Sequence, residues 1–249
     1  MIRVLVCISH VPDTTTKIQF EGDGSKLNKA GVTFVINPYC EYGLSRAIGF
    51  QEEGKKVSIT ALCVGGPEVE PTLRRALAIG ATDAVRIDAE ASDAGFVAQQ
   101  IAKYCDGKEF DIIFTGKESI DFNGSLVPGM VAEHLNYGFV SFATHMELTG
   151  DEYTGAVVHR EVDGGSEVME VTLPVVISCQ KGIAEWRIPN MRGIMGARKK
   201  PLSKVSPADV NPEVTSVQFG YPPEKGNCEY FQPEEASNLV HTLVDKGLL

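Results

Sequence analysis

The sequence predicts an α/β fold, in which a mostly parallel sheet has helical crossovers and Rossmann-type layering, with antiparallel strands and an extended C-terminal arm added. Three observations predict it. The first half of the chain alternates β-rich runs with amphipathic helical segments, which is typical of parallel sheets. From Phe139 the hydrophobic period changes to two, which indicates antiparallel strands. Beyond Pro201, proline and polar residues interrupt the chain, and too few apolar residues remain for a separate core.

In the first half, each β-rich run is followed by a helical segment. A strand is expected at Arg3–Ile8 and a short one at Phe34–Ile36. Asn37 suits a helix N-cap and Pro38 the first helical position, so we expect a helix from there to Gly54. The later predicted elements are the strand Lys56–Val64, the helix Glu68–Ile79, the strand Ala84–Ile87, a helix from Asp93 to Tyr104, the strand Asp111–Thr115 and a helix ending near Leu135.

In the second half, short alternating runs predict strands at Phe142–Leu148, Glu152–His159 and Glu167–Leu173, followed by a buried strand at Val175–Cys179. A last amphipathic helix is expected from Pro233 to Lys246. We therefore expect one α/β domain over residues 1–200 and a C-terminal arm over residues 201–249. The arm is interpreted as wrapping a partner, with a disordered tail as the alternative.

Composition and charge exclude several classes of protein. The chain has 249 residues, a net charge of −10 and 43% hydrophobic residues. The acidic balance argues against nucleic acid or an anionic membrane as the main partner. No apolar run approaches the ~20 residues of a membrane span, so no direct membrane insertion is expected. The N-terminus has the character of a first strand rather than a signal peptide, and six scattered cysteines indicate free buried thiols. These features favour a bacterial cytoplasm, or a mitochondrial matrix if the source is eukaryotic.

Three segments that follow predicted strands are candidates for ligand binding: Cys7–Asp13, Val64–Pro67 and Gly116–Ser125. Ligands of open parallel sheets bind beyond the carboxyl ends of the strands, so these segments are expected to lie together. The third is a glycine-flanked loop that leads into a helix, which is a common arrangement for binding anions. It matches neither the P-loop pattern nor the dinucleotide-binding G-x-G-x-x-G pattern.

Few residues have the pattern of a catalytic or metal site. The five histidines are isolated from one another, and no nucleophile has a recognisable local base. Asp121 is more readily explained by helix capping and loop hydrogen bonding, and Arg198-Lys199-Lys200 by a solvated or helix-end cluster. We therefore expect a protein that binds a molecule without catalytic residues or a metal of its own.

Several stretches resemble the β subunits of electron transfer flavoproteins. Val158–Met169, followed by Leu173–Ser178, matches the signature stretch of that family. Further similar stretches occur in the same order along the chain, from Arg3 to Lys200: Arg3–Val6 with Val11–Thr14, Asn37–Glu41, Leu73–Ala81, Gly116–Asp121 and Arg187–Met195. The resemblance implies an adenine-nucleotide-hydrolase-like arrangement of the sheet and helices.

The resemblance also implies a heterodimer with an α subunit, which holds most of a redox-active FAD while this chain supplies one wall of its site. It implies a second nucleotide in this chain, AMP in electron-shuttling members and FAD in electron-bifurcating ones. The implied cofactor-binding residues are Cys7, Ile8, Ser9, Asn37, Val64, Gly65, Gly66, Asp121, Phe122, Asn123, Gly124, Ser125, Leu126 and Val127.

Electrons are implied to come from flavoprotein dehydrogenases and to leave for a membrane quinone reductase or similar acceptor. A docking loop near residues 182–196 is implied to recognise the dehydrogenase. Its implied contact residues are Arg187, Pro189, Met191, Arg192, Ile194 and Met195.

The chain departs from the family pattern at the phosphate-binding loop. Shuttling members have Asn, Gln and Thr side chains where this chain has Ser125, Leu126 and Val127. Backbone amides then have to hold the phosphate, and AMP, a second FAD and no nucleotide all stay open for this chain. A stand-alone adenine-nucleotide-binding protein of the stress type is a further alternative, although the hairpin at Asp163-Gly164-Gly165 and the long C-terminal segment count against it.

Overall fold

The computed structural model describes residues 1–249 and divides them into two compact units. The larger unit consists of residues 1–19 and 28–216, and the smaller one of residues 20–27 and 217–249. None of the helices combines the length and the apolar character that crossing a membrane requires.

A nine-stranded sheet forms the centre of the larger unit. Its strands are β1 (Ile2–Cys7), β4 (Val57–Val64), β5 (Asp83–Ile87), β6 (Ile112–Gly116), β7 (Gly138–Thr149), β8 (Gly155–Val162), β9 (Gly165–Thr172), β10 (Val175–Cys179) and β11 (Leu202–Val205). Their spatial order is β11-β5-β4-β1-β6-β10-β7-β8-β9. Neighbouring strands pair in parallel from β11 to β7, and β7, β8 and β9 pair antiparallel. The predicted α/β class, with antiparallel strands added to a mostly parallel sheet, is confirmed.

Side chains alternate between the two faces of the sheet along each buried strand, so both faces are apolar. A layer of helices covers each face. The helices are α1 (Pro38–Glu52), α2 (Glu70–Ile79, after a 3-10 turn at Pro67–Val69), α3 (Ala94–Cys105), α4 (Val127–Leu135) and the short α5 (Met191–Ala197). Val4 and Val6 pack in the core that contains the apolar residues of α1 and α2. Leu5 lies in the opposite core, together with those of α3 and α4.

The antiparallel part begins within β7 itself. The first half of β7 pairs in parallel with β10, and its second half pairs with β8. Met146, Ala156 and Val158 point into the core and are almost fully buried, which explains the alternating pattern of these strands. The predicted boundaries of the second hairpin strand were wrong by three residues at each end, since β8 runs from Gly155 to Val162 rather than from Glu152 to His159.

Three short elements are additional to those expected from the sequence. His10–Pro12 (β2) pairs antiparallel with Phe34–Ile36 (β3) beside the main sheet. Leu202–Val205 forms β11, the edge strand next to β5. The predicted docking loop contains the helix α5. The strands β2 and β11 are four residues long or shorter, and α5 lies among glycines and prolines. Hydrophobic periodicity gives little signal in such segments.

The smaller unit combines two separate stretches of the chain, residues 20–27 and 217–249. The ring of Phe20 stacks on that of Phe219 with centroids 5.5 Å apart, and the amide of Phe219 donates to the carbonyl oxygen of Gly24 at 2.8 Å. Its helix α6 (Ala236–Asp245) follows a capping box made by Gln232 and Glu235, and no residue of α6 is buried. The predicted role of residues 201–249 as an arm that wraps a partner stays a prediction.

Candidate nucleotide-binding site and docking segment

The topology of the sheet places the candidate site. From β1 the chain proceeds to β4 and β5 on one side, and it then crosses to β6 and β10 on the other side of β1. The carboxyl ends of β4, β1 and β6 are therefore adjacent at a topological switch point, where open α/β sheets bind ligands. The loops that follow these strands, residues 8–12, 65–69 and 117–126, are called the strand-end loops below. The structure brings the three predicted segments to one edge of the sheet.

Asn37 joins two of the strand-end loops. Its backbone amide donates to the carbonyl oxygen of Ser9 at 2.9 Å. Its side-chain Nδ2 donates to the carbonyl oxygen of Glu118 at 2.8 Å, and its Oδ1 accepts from the amide of Ile120 at 3.2 Å. The residue is fully buried. Asn37 is the N-cap residue of α1, as predicted, but its side chain makes no cap hydrogen bond and instead satisfies partly buried backbone groups of the loop after β6.

Gly116 permits the close approach that makes the Asn37 contacts possible. A Cβ atom at this position would lie 2.8 Å from Nδ2 of Asn37, 2.9 Å from Cβ of Tyr39 and 3.0 Å from the backbone nitrogen of Cys40. The end of β6 therefore packs directly against the first turn of α1, and only glycine leaves room for that contact.

The loop after β4 rests on a buried arginine. Arg86 of β5 is 3% exposed, and its Nη1 donates to the carbonyl oxygen of Gly65 at 3.1 Å. Its Nε donates to Glu70 at 3.0 Å, and it also pairs with Asp88. Hydrogen bonding to Asp88 raises the pKa of this guanidinium above its ordinary value. A buried cation that pairs with two carboxylates and also donates to Gly65 fixes the position of the loop that contains Gly65 and Gly66.

The loop after β6 presents exposed backbone to the same edge. Asp121, Phe122, Asn123, Gly124, Ser125 and Leu126 are all exposed. Asn123 and Ser125 adopt left-handed backbone conformations, with φ of 50° and 52°. The amides of residues 124–127 donate no hydrogen bond to another protein group, and the last of these residues begins α4. This arrangement presents backbone donors and the positive end of a helix dipole at one point, as anion sites do.

His10 belongs to the first strand-end loop and contacts α2. Its Nδ1 is 2.7 Å from Oγ1 of Thr72 in α2, and its ring stacks on Phe34 with centroids 4.4 Å apart. Burial lowers the pKa of His10, whereas the charges of Glu68 and Asp121 act in the opposite direction. The ring is therefore neutral at pH 7, and it holds the small β2–β3 sheet against α2.

A cleft of about 530 Å³ lies beside these loops, at the start of α1. Its aromatic side consists of Tyr39 and Tyr42, and its floor includes Ile120. The ammonium group of Lys117 lies 4.9 Å from the ring centroid of Tyr39 and 3.3 Å from the carboxylate of Glu118. Glu161, Gln180 and Lys181 complete the lining. The cleft thus offers aromatic surface next to cationic groups.

Comparison with known proteins decides the family of the chain. The family model described as the electron transfer flavoprotein domain matches residues 25–210. A protein named electron transfer flavoprotein subunit beta from Syntrophomonas wolfei is 36% identical over 225 residues, which cover 90% of this chain and 87% of that protein. The chain belongs to the electron transfer flavoprotein β-subunit family. The resemblance found in the sequence is confirmed.

Two further β subunits of electron transfer flavoproteins are similar along almost their whole length. The one from Bacillus subtilis is 33% identical over 97% of each chain. The one from Homo sapiens is 31% identical, with 99% of this chain and 98% of that protein covered. The family is one of electron carrier subunits of flavoproteins, and the name of the subunit implies a partnering α subunit.

The docking residues expected for this family lie at the other end of α1 and α2 from the strand-end loops. Arg187 donates to both carboxylate oxygens of Glu52, the last residue of α1, at 2.5 and 2.6 Å. This pairing raises the pKa of Arg187 and lowers that of Glu52. The residues that follow present exposed apolar side chains: Ile188, Met191, Ile194 and Met195. We call the stretch from Arg187 to Met195 the docking segment. That these residues, together with Pro189 and Arg192, contact a partner stays a prediction.

The structure adds side chains that the sequence reasoning missed. Arg86 and His10 order the strand-end loops, and Arg74 and Lys200 bind the chain around α5. The cluster Arg198-Lys199-Lys200 does follow the end of α5, as its helix-end interpretation predicts. Lys200 is not simply solvated, because burial lowers its pKa and its Nζ donates to two carbonyl oxygens. The signal that singles out Arg86 in the sequence is its charge within the apolar run Ala84–Ile87.

Proposed function

We propose that this chain is the β subunit of a heterodimeric electron transfer flavoprotein that accepts electrons from flavoprotein dehydrogenases and passes them to a membrane quinone reductase or a similar acceptor. In this heterodimer the chain binds a structural adenine nucleotide, AMP, and forms one wall of the FAD site. The α subunit holds most of the FAD. The observation that supports this proposal best is the convergence of the three strand-end loops, in a member of this family, at a switch point of the sheet.

The adenosine part of AMP is assigned to the first two strand-end loops. Their backbone at Cys7–Ser9 and Val64–Gly66 lies at the ends of adjacent strands, and Arg86 holds the second loop in place. Because the side chain of Asn37 is buried and already paired, its contribution is to position the loops rather than to bind the nucleotide directly.

The phosphate is assigned to the loop between β6 and α4. Residues 121–127 offer exposed backbone amides at the start of α4, where the helix dipole favours an anion. The side chains of Leu126 and Val127 offer no donors, so the backbone and the hydroxyl of Ser125 are the groups available. Each side-chain hydrogen bond that is absent weakens binding by about 0.5–1.5 kcal/mol.

The cleft next to Tyr39 and Tyr42 is assigned to the FAD that the α subunit brings. Flat aromatic surface suits stacking against a flavin ring, and the ammonium group of Lys117 suits its electron-rich edge. This chain would then supply one side of the flavin pocket, and electrons would enter and leave through the heterodimer without any catalytic residue from the β subunit.

The nucleotide content of the purified heterodimer tests the proposal. The chain is co-expressed with its α subunit, the nucleotides are released by heat, and they are separated and quantified by chromatography. One FAD and one AMP per heterodimer is the expected result. Two FAD would indicate an electron-bifurcating protein, and one FAD alone would mean that the altered loop holds no AMP. A colourless product, or no heterodimer, would contradict the proposed function.

A pair of substitutions tests the phosphate assignment specifically. Leu126→Gln with Val127→Thr adds side-chain donors to the loop, each contributing about 0.5–1.5 kcal/mol, so the dissociation constant for AMP should fall by about 5–140-fold. Val217→Thr, at an exposed position outside this loop, is the matched control and should leave AMP affinity unchanged. Equal AMP affinity in the loop variant and the wild type would refute the phosphate position.

A further inference from the structure

The helix α5, which carries part of the docking segment, packs closely against the end of α2. α5 (Met191–Ala197) begins within the docking segment and packs against the last turns of α2. Asn190 caps α5, since its side chain accepts from the amide of Gly193 at 2.9 Å. Gly193 itself is in close contact with α2, because a Cβ atom there would overlap the carbonyl oxygen of Ala78. The two helices therefore meet at backbone distance, which leaves little freedom in how α5 is placed.

Arg74 of α2 binds the chain immediately after α5. Its Nη1 donates to the carbonyl oxygen of Ala197 at 2.7 Å and to that of Lys200 at 2.8 Å. Ala197 is the last residue of α5 and is almost fully buried. The carbonyl groups at the end of a helix have no partner within the helix, so a guanidinium at this point satisfies one of them and fixes the direction in which the chain leaves.

Lys200 makes the reciprocal contact with the end of α2. Its Nζ donates to the carbonyl oxygen of Leu77 at 2.9 Å and to that of Ala81 at 2.6 Å. Arg74 thus reaches from α2 to the end of α5, and Lys200 reaches from the chain after α5 to the end of α2. No carboxylate takes part in either contact. The result is a crossed pair of cation-to-carbonyl contacts that fastens one helix to the other.

This pair fastens the helix that carries exposed apolar side chains. Met191 is 72% exposed and Met195 is 67% exposed, and both project from α5. Ile188, 90% exposed, precedes them in the same segment. Exposed apolar side chains on a helix contribute to binding most when the helix is already ordered, because little conformational freedom is then lost on association.

We propose that Arg74 and Lys200 are positioning residues for partner docking, because they hold α5 and its apolar side chains in one orientation before a partner arrives. This inference rests on the proposed function, in which the docking segment recognises a flavoprotein dehydrogenase. Neither residue needs to touch the partner. Their effect is on the fraction of heterodimers whose docking segment is ready to bind, and the apparent dissociation constant rises as that fraction falls.

The experiment compares four variants of the heterodimer with the wild type: Arg74→Met, Arg74→Lys, Lys200→Met and the double variant Arg74→Met with Lys200→Met. Lys103→Met, which removes an exposed lysine from α3, is the matched control. Hydrogen exchange of the peptide that spans residues 187–200 reports the order of the segment. The KM and kcat for reduction of the heterodimer are measured with a flavoprotein dehydrogenase that reduces the wild type. Reduction by dithionite, which needs no docking, reports the integrity of the flavin site.

We expect Arg74→Met and Lys200→Met each to raise KM by about 5–10-fold while kcat changes less than about twofold, because a smaller fraction of the protein is competent to bind. Exchange in residues 187–200 should become faster, and dithionite reduction should not change. Arg74→Lys should restore part of the affinity, since one ammonium group still reaches a carbonyl oxygen. Lys103→Met should match the wild type in every measurement.

Three results would overturn the positioning role. Unchanged exchange in the double variant would show that the two cations do not order the segment. Faster exchange with an unchanged KM would show that the order does not matter for docking. A parallel loss of kcat and of dithionite reduction would show general damage instead. The proposed function fails in a different way: no dehydrogenase then reduces even the wild-type heterodimer, although dithionite does, and the docking role is overturned with it.

Discussion

Replacing Asn37 by alanine tests whether one buried amide side chain holds the strand-end loops together. The substitution leaves the carbonyl oxygen of Glu118 and the amide of Ile120 without their partner. Each such group costs about 1–3 kcal/mol when it stays buried, and both are partly buried, so the free energy of unfolding should fall by about 2–4 kcal/mol. At about 2–4 °C per kcal/mol for a chain of this size, the melting temperature should fall by about 5–15 °C.

The assay is thermal unfolding of the heterodimer, followed by circular dichroism, together with its nucleotide content. Asn211→Ala is the matched control, because it removes the same side chain from an exposed position. The Asn37→Ala heterodimer should also lose AMP before it loses FAD, since the disturbed loops are those assigned to AMP. A melting temperature within about 1 °C of the wild type would refute the argument that the unpaired groups are costly.

Asn37→Asp adds a pH dependence with a definite sign. The new carboxyl would be buried and would face the carbonyl oxygen of Glu118, so its pKa in the folded state should lie above the unfolded value. The folded state then binds the proton more tightly, and its stability falls as pH rises from the unfolded pKa through the raised one. This variant should therefore be closer to the wild type at pH 5 than at pH 8. The opposite order would show that the aspartate does not occupy the place of the amide.

Three further predictions follow from the same geometry. Gly116→Ala should lower the free energy of unfolding by about 1–3 kcal/mol in urea titrations, because its Cβ enters a filled contact, whereas Gly22→Ala meets open space and should be neutral. A thiol reagent at pH 8 should label the exposed Cys228 in the isolated folded chain. It should spare buried thiols such as Cys63, whose pKa is raised by burial to about 12. Labelling of several thiols before unfolding would contradict the buried assignment. Because burial lowers the pKa of His10, the folded state favours the neutral ring, and the free energy of unfolding should fall as pH drops through about 6.5. The His10→Gln variant should lose less of its free energy of unfolding between pH 7.5 and 5.5. Identical pH profiles of unfolding for the variant and the wild type would refute this contribution.

The strands and helices of the parallel part were predictable because each has a strong local signal. Ile59–Val64 is an uninterrupted buried run within β4, and the helix after it is capped by Gly80, whose φ of 159° lies at the limit of what other residues adopt. Local rules failed where a partner distant in the sequence competes with a local one. Asn37 is the clearest case: it is the N-cap residue that the sequence predicts, but its side chain bonds partly buried backbone groups 81 and 83 positions further along and leaves the helix without a side-chain cap.

The fold class, the order of the main strands and helices, the family and the three segments that follow the central strands could all be predicted from the sequence alone. These features depend on hydrophobic period, turn residues and motif, all of which are local along the chain. Only the tertiary structure decided which side chains hold those segments in place. The contacts that do so join residues that are distant in the sequence. They are the contact of Arg86 with Gly65, that of His10 with Thr72, and those of Arg74 and Lys200 between α2 and the chain around α5. Such contacts form because folding leaves backbone and charged groups without water, and each then requires a partner wherever the chain provides one.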